Sequence, residues 1–183
     1  MSTLYVDTIN EKTSGNGVQI ADLVPAAGSV VQVQSSVLSS KVSTTSLYST
    51  AYVDTGLSVS ITPKFSTSKI LITSSLMCGS YASFNYFKLL RGTTELGLGD
   101  AAGSRERCTF CFYPDAGGGD NTSVANGHTF LDSPATTSAI TYKWTWAVSS
   151  GSYQAVLNSN VRDTANTYEP RGASTITVME IAQ

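Results

Sequence analysis

Charge is scarce in this sequence of 183 residues: Asp, Glu, Lys and Arg make up 13% of it, about half the usual share for a soluble domain. The eleven Lys and Arg run from Lys12 to Arg171 without a cluster, and the net charge is -2. No footprint for a phosphate backbone is present, so no nucleic-acid partner is expected. Long apolar runs are missing too. None comes near the ~20 residues that span a bilayer, and no membrane insertion is expected. The opening Met1-Ser2-Thr3-Leu4-Tyr5-Val6-Asp7 has neither a basic region nor an apolar stretch, which predicts synthesis in a cytosol without a secretory signal. Helical periodicity is absent as well: no segment repeats apolar residues at i, i+3, i+4 and i+7 over a dozen positions.

Catalytic residue types are just as sparse. His128 is the single histidine, set in Asn126-Gly127-His128-Thr129, and no nucleophile elbow occurs. It reads as a strand-edge histidine. Asp100, Glu106, Asp115, Asp120 and Asp132 offer carboxylates for a glycosidase pair, but scattered loop acids are common in soluble proteins. Gly97-Leu98-Gly99 and Gly117-Gly118-Gly119 lack the Lys and the strand-to-helix setting of a phosphate loop, and read as turns. Cys108 and Cys111 form a C-x-x-C, yet no second pair follows. Arg107 to Tyr113 reads as a strand, where side chains three apart face opposite ways, so these two and Cys78 are expected as buried or half-buried thiols. No catalytic residue, metal ligand or cofactor is assigned, and no enzyme is expected.

What the chain does hold is Ser and Thr, roughly a quarter of its residues, together with 41% hydrophobic residues in regular alternation. Thr favours strands, while Ser and Gly populate turns. Leu57, Val59 and Ile61 alternate with Ser58, Ser60 and Thr62, and Pro63 closes the run. Lys69 to Met77 follows with Ile70, Ile72 and Leu76 on one side, and Asn85 to Arg91 enters a turn at Gly92-Thr93-Thr94. Ile140, Tyr142, Trp144, Trp146 and Val148 form a stripe of period two. The rings at 142, 144 and 146 have the flat faces of a sugar platform, but Ile140 and Val148 continue the same face and point to a core role. Ser29–Gln34, Glu95–Leu98, Arg107–Tyr113, a short His128–Asp132, Gln154–Leu157 and Ser174–Ile181 complete eight to ten strands. The expected fold is all-β, a jelly-roll-like β-sandwich over residues 28–183.

Residues 1–27 read as a separate segment for attachment or oligomerisation. Leu4, Tyr5, Val6 and Ile9 form one strand-like run and Val18 and Ile20 a second, joined through the hairpin dipeptide Asn16-Gly17. A lone two-stranded unit is marginal in water, so this one needs a partner surface. At the other extreme, the loop from Tyr113 carries Asp115, Asp120, Asn121 and Thr122 at its tip. Loops on a rigid sandwich are where binding usually sits, and these five are the candidate receptor contacts. Arg105, Glu106 and Arg107 read as an interstrand or intersubunit salt-bridge group.

Several blocks together resemble a module of tail-fibre and other appendage proteins of aquatic bacteriophages. They are Gly28-Ser29-Val30-Val31-Gln32-Val33, Thr55 to Pro63, Ser68 to Ile72, Leu89 to Thr94, Gly99 to Arg105, Phe130 to Pro134 and Ser174 to Ile181. The segment Leu4 to Ile9 with Ser14 to Val18 is similar to the opening of many cyanophage virion proteins. The resemblance implies a homotrimeric structural protein of the virion, docked to other virion proteins by its N-terminal segment. Its distal loops are then expected to meet a host surface glycan or protein. The chain passes almost directly from hairpin to sandwich, which favours a short fibre or spike over a long shaft. A capsid cement or decoration protein is the alternative, and a depolymerase is the third reading.

Overall fold

The computed structural model describes residues 25–114 and 119–183. The hairpin assigned to Leu4–Ile9 and Val18–Ile20, and Asp115 of the loop, lie outside the described residues. Eleven strands are present among the described residues: β1 Val30–Leu38, β2 Val42–Thr44, β3 Val53–Ile61, β4 Lys69–Ser80, β5 Asn85–Arg91, β6 Thr94–Leu96, β7 Phe110–Phe112, β8 Ser123–Asp132, β9 Ile140–Val148, β10 Ala155–Leu157 and β11 Ser174–Ile181. The one helical element among the described residues is a 3-10 turn at Gly119–Asn121.

The chain folds as an all-β sandwich of two antiparallel sheets. In the first, β8 pairs with β4 along its length, while β11 and β10 share the other edge of β4, with β1 beyond β11 and β2 beyond β10. The second runs β3, β9, β5 and β6, with β7 also paired to β5. The alternation of apolar residues closes the space between them. Leu57, Ile61, Ile70, Ile72, Leu76, Phe87, Leu89, Ile176 and Val178 are buried inside, and so is the whole stripe Tyr142, Trp144, Trp146 and Val148. That stripe is core, as Ile140 and Val148 indicated.

Three expectations need correction. β8 has ten residues rather than the short run His128–Asp132, because Asn126 and Gly127 lie within it opposite Leu76 and Ser75. β1 continues four residues past Gln34, since Ser35, Ser36, Val37 and Leu38 pair with β11. The third concerns the C-x-x-C: Cys108 and Cys111 line the same concavity instead of opposite faces. Regular alternation begins only at Phe110. Before it, the Thr109 hydroxyl accepts from Leu89 N at 2.9 Å, where a ladder carbonyl would otherwise stand. Cys78 is buried, Cys108 half-buried and Cys111 exposed. Burial pushes the Cys78 thiol up to about 12.

The outward faces of the two sheets differ in chemistry. The face of the β3–β9–β5 sheet carries ion pairs: Lys143 to Asp54 at 2.9 Å, and Lys88 to Glu95 at 3.1 Å and Glu106 at 3.3 Å. Glu106 thus pairs from the β6–β7 connection with Lys88 of β5 and not strand to strand, while Arg105 and Arg107 donate to the carbonyls of Ala102 and Gly99. The middle of the six-stranded sheet's outward face is uncharged across β1, β11, β4 and β8, with Lys69 standing on that face at the start of β4. One rung reads Val33, Met179, Leu71 and Leu131, and the next Ser35, Thr177, Thr73 and Thr129. Val33, Val37 and Leu131 are about half exposed there.

Candidate functional site

Strand direction sorts the chain into two ends. Val30, Lys69, Asp132, Ile140 and Ile181 stand at one end of their strands. The chain enters there, where Gly28 N donates to Ala182 O at 2.8 Å and Ala182 N donates to Ser29 O at 2.9 Å. Ser80, Asn85, Val148, Ala155 and Thr44 mark the other end. With twelve residues in β4, the two ends are about 40 Å apart. The segments that leave the second end are the β2–β3 connection, the four-residue β4–β5 turn, the β7–β8 loop and the β9–β10 turn.

This loop end gathers exposed aromatic rings. Tyr48, Tyr81, Phe84, Tyr113 and Tyr153 are all exposed, in segments rich in Ser, Thr and Gly. The β4–β5 turn supplies two of them. It reverses through Ala82 in the left-handed region (φ 51), a strain of about 1 kcal/mol for a residue with a Cβ. Ser80 Oγ ties the turn by donating to Ser83 O at 3.3 Å, and Phe84 N donates to Ser149 Oγ at 3.1 Å. Phe84 then stacks on Tyr113 with ring centres 4.4 Å apart, and on Tyr86 at 6.3 Å. Tyr86 meets Tyr48 edge-on at 5.4 Å. Burial and the neighbouring Cys111 raise the Tyr86 phenol above its ordinary value.

On the other side of the turn, Tyr81 meets Tyr153 edge-to-face, with centres 5.7 Å apart and planes at 71°. These two rings border a cleft of about 770 Å³ whose other walls are Thr45, Gly119, Asp120, Ser152, Gln154 and Val161. The loop that carries Asp120 is pinned to the segment after β10. Arg162 N donates to Asp120 O at 2.9 Å, and Asn160 Nδ2 donates to Asn121 O at 3.2 Å.

The five candidate receptor contacts therefore separate. Asp120 lines the cleft, Tyr113 joins the ring stack on Phe84, Asn121 is exposed and gives its carbonyl to Asn160, and Thr122 is half-buried. Sequence reasoning missed Tyr81 and Tyr153. A detectable signal was present, because both are large rings set among Ser, Gly and Ala in turns, as Gly79-Ser80-Tyr81-Ala82-Ser83 and Gly151-Ser152-Tyr153.

Of the carboxylates considered for a glycosidase, Asp120 and Asp132 do not meet. Asp132 sits at the entry end, where Arg91 and Tyr142 hold it, whereas Asp120 sits at the loop end. His128 is half-buried between Trp144 at 5.4 Å and Phe110 at 6.4 Å, and burial lowers its pKa. Among the described residues, no group of three or more His, Cys, Asp or Glu is placed to hold a metal ion. No protein-family model matches the chain, and neither does any curated protein.

Proposed function

We propose that this chain is a structural protein of a phage virion, a short trimeric fibre or spike that docks by its N-terminal segment and presents its loop end to a host surface. One observation carries the reading: the chain enters the sandwich at one end, and the exposed rings gather at the other, about 40 Å away. A tether and a contact surface at opposite ends suit an attachment device. The resemblance of residues 28–183 to appendage modules supports the same assignment. So does the loop-end chemistry, since Tyr supplies large contact area with a polar tip at low entropic cost. Three copies on one axis turn weak contacts into stable attachment through multivalency.

A specific observation favours a second reading, capsid cement. The uncharged face around Leu71, Met179 and Leu131 would suit burial against a shell as well as against a second copy. Immunogold labelling of particles with an antibody to residues 25–183 separates the two. The appendage reading predicts gold at a tail end or at discrete projections, with fluorescent protein staining cells of the susceptible strain. Gold spread evenly over the capsid, with unstained cells, is the cement result and overturns it.

A further inference from the structure

We propose that the cleft between Tyr81 and Tyr153 is a binding site for a neutral saccharide. The proposal deepens the reading of the loop end as host-facing and rests on it. The cleft volume, about 770 Å³, lies within the range of small-ligand sites. Two rings border the cleft, Tyr81 at 42% exposed and Tyr153 at 37%, and Val161 adds an aliphatic side chain. A pyranose has a C–H face that packs on such a ring, and a rim of hydroxyls that each donate and accept. The remaining walls match that rim. Asp120 offers two acceptor oxygens, Gln154 an acceptor and two donors, and Ser152 and Thr45 hydroxyls that do both.

Charge narrows the class. Among the described residues the lining contains no Lys, Arg or His, and its single charged group is Asp120. A uronate, sialate or phosphate would face a carboxylate with no cation to balance it, so acidic glycans are disfavoured. A peptide side chain would look for a closed apolar pocket, which one Val and two half-exposed rings do not make. The walls are also set in advance. The backbone bonds from Arg162 to Asp120 and from Tyr153 N to Ser150 O (3.2 Å) hold two sides of the cleft, which limits the ordering cost of binding.

The test uses the full chain on an array of printed neutral, amino and acidic oligosaccharides, with the same proteins applied to cells of the susceptible strain. The expected result is binding to a subset of neutral hexose-containing glycans and to none ending in a uronate or sialate. Tyr153→Ala and Asp120→Ala should each weaken it about tenfold or more, as removal of a central contact does. Tyr153→Phe, which keeps the ring, should stay close to wild type, as should Tyr168→Ala, far more exposed and outside the cleft. Binding that Tyr153→Ala leaves intact, binding confined to acidic glycans, or no binding on the array overturns the cleft. Cell staining separates the two levels. Staining that survives Tyr153→Ala removes the saccharide site and leaves the host-facing end standing. Array binding lost in Tyr153→Ala, but with cells unstained, keeps the site and removes the host-attachment reading.

Discussion

Asp132→Ala lowers the stability of the sandwich by about 4 kcal/mol in urea unfolding. Asp132 is buried at the end of β8, where its two oxygens accept from Arg91 Nη1 at 2.9 and 2.7 Å, and one accepts from the Tyr142 hydroxyl at 2.7 Å. Tyr142 is fully buried, so the truncation strands its hydroxyl, and it also leaves the partly exposed Arg91 guanidinium without its carboxylate. The loss exceeds the worth of any one bond, because a buried group without a partner has given up its water as well. Burial and the adjoining carboxylate together hold the Tyr142 phenol well above its ordinary pKa, so it remains a donor throughout the accessible range. Asp132→Asn keeps one acceptor oxygen for two donors and should lose about half as much. The double variant Arg91→Leu with Asp132→Leu should recover only part of the stability, since it removes both charges but leaves the buried Tyr142 hydroxyl without an acceptor. Adding Tyr142→Phe should recover most of it. An Asp132→Ala loss below about 1 kcal/mol would show that the triad adds little.

Gly79→Ala costs about 3 kcal/mol and loosens the cleft at the same time. A Cβ at Gly79 would stand 2.4 Å from Ser159 O, 2.8 Å from a Val156 methyl and 3.0 Å from Asn160 Cα. Two of those three are backbone atoms, which cannot swing aside as a side-chain tip can. The segment they belong to is fixed by Asn158, whose N donates to Met77 O at 2.8 Å and whose Nδ2 donates to Leu38 O and Ser40 O, each at 2.8 Å. Relief therefore requires Ser159 to Arg162 to lift off β4. Asn160 and Arg162 are the residues that pin the Asp120 loop, so saccharide binding should fall with stability. Gly172 offers the contrast within the same structure. Its added Cβ would meet the Met77 side chain, a flexible group that can move, so Gly172→Ala should cost less than Gly79→Ala.

These two sites show where the sequence was legible and where it was not. β5, β9 and β11 end at the residues that alternation and turn chemistry indicate, because a strand with one face in the core must keep a period of two. β2, three residues long between Ser-rich stretches, carries too few apolar positions to show a period. The extent of β8 was hidden for another reason. Asn126 and Gly127 are turn residues locally, and pairing with β4 overrides that preference. The cleft is a tertiary object: Thr45, Tyr81, Asp120 and Tyr153 come from four connections brought together only by the sheet order. The loop around Asp120 could be picked out because polar tips on rigid sandwiches often bind, but nothing local tells that Tyr113 turns away from it towards Phe84.

The apolar rung Val33, Met179, Leu71 and Leu131 on the six-stranded sheet makes self-association the most direct point of attack on the account. An apolar rung in which Val33 and Leu131 stay half exposed is the kind of surface that a partner covers. Leu71→Lys places a charge in the middle of that face, opposite Met179 and Leu131, while the core residues Ile70 and Ile72 beside it point inward. The measurement is the light-scattering mass of the purified full chain at micromolar concentration, with and without this substitution. The account predicts three times 19.3 kDa for the wild-type chain, and 19.3 kDa for a Leu71→Lys variant that stays folded. A wild-type mass of 19.3 kDa would contradict the trimeric appendage, and a trimer that survives Leu71→Lys would move the interface away from this sheet.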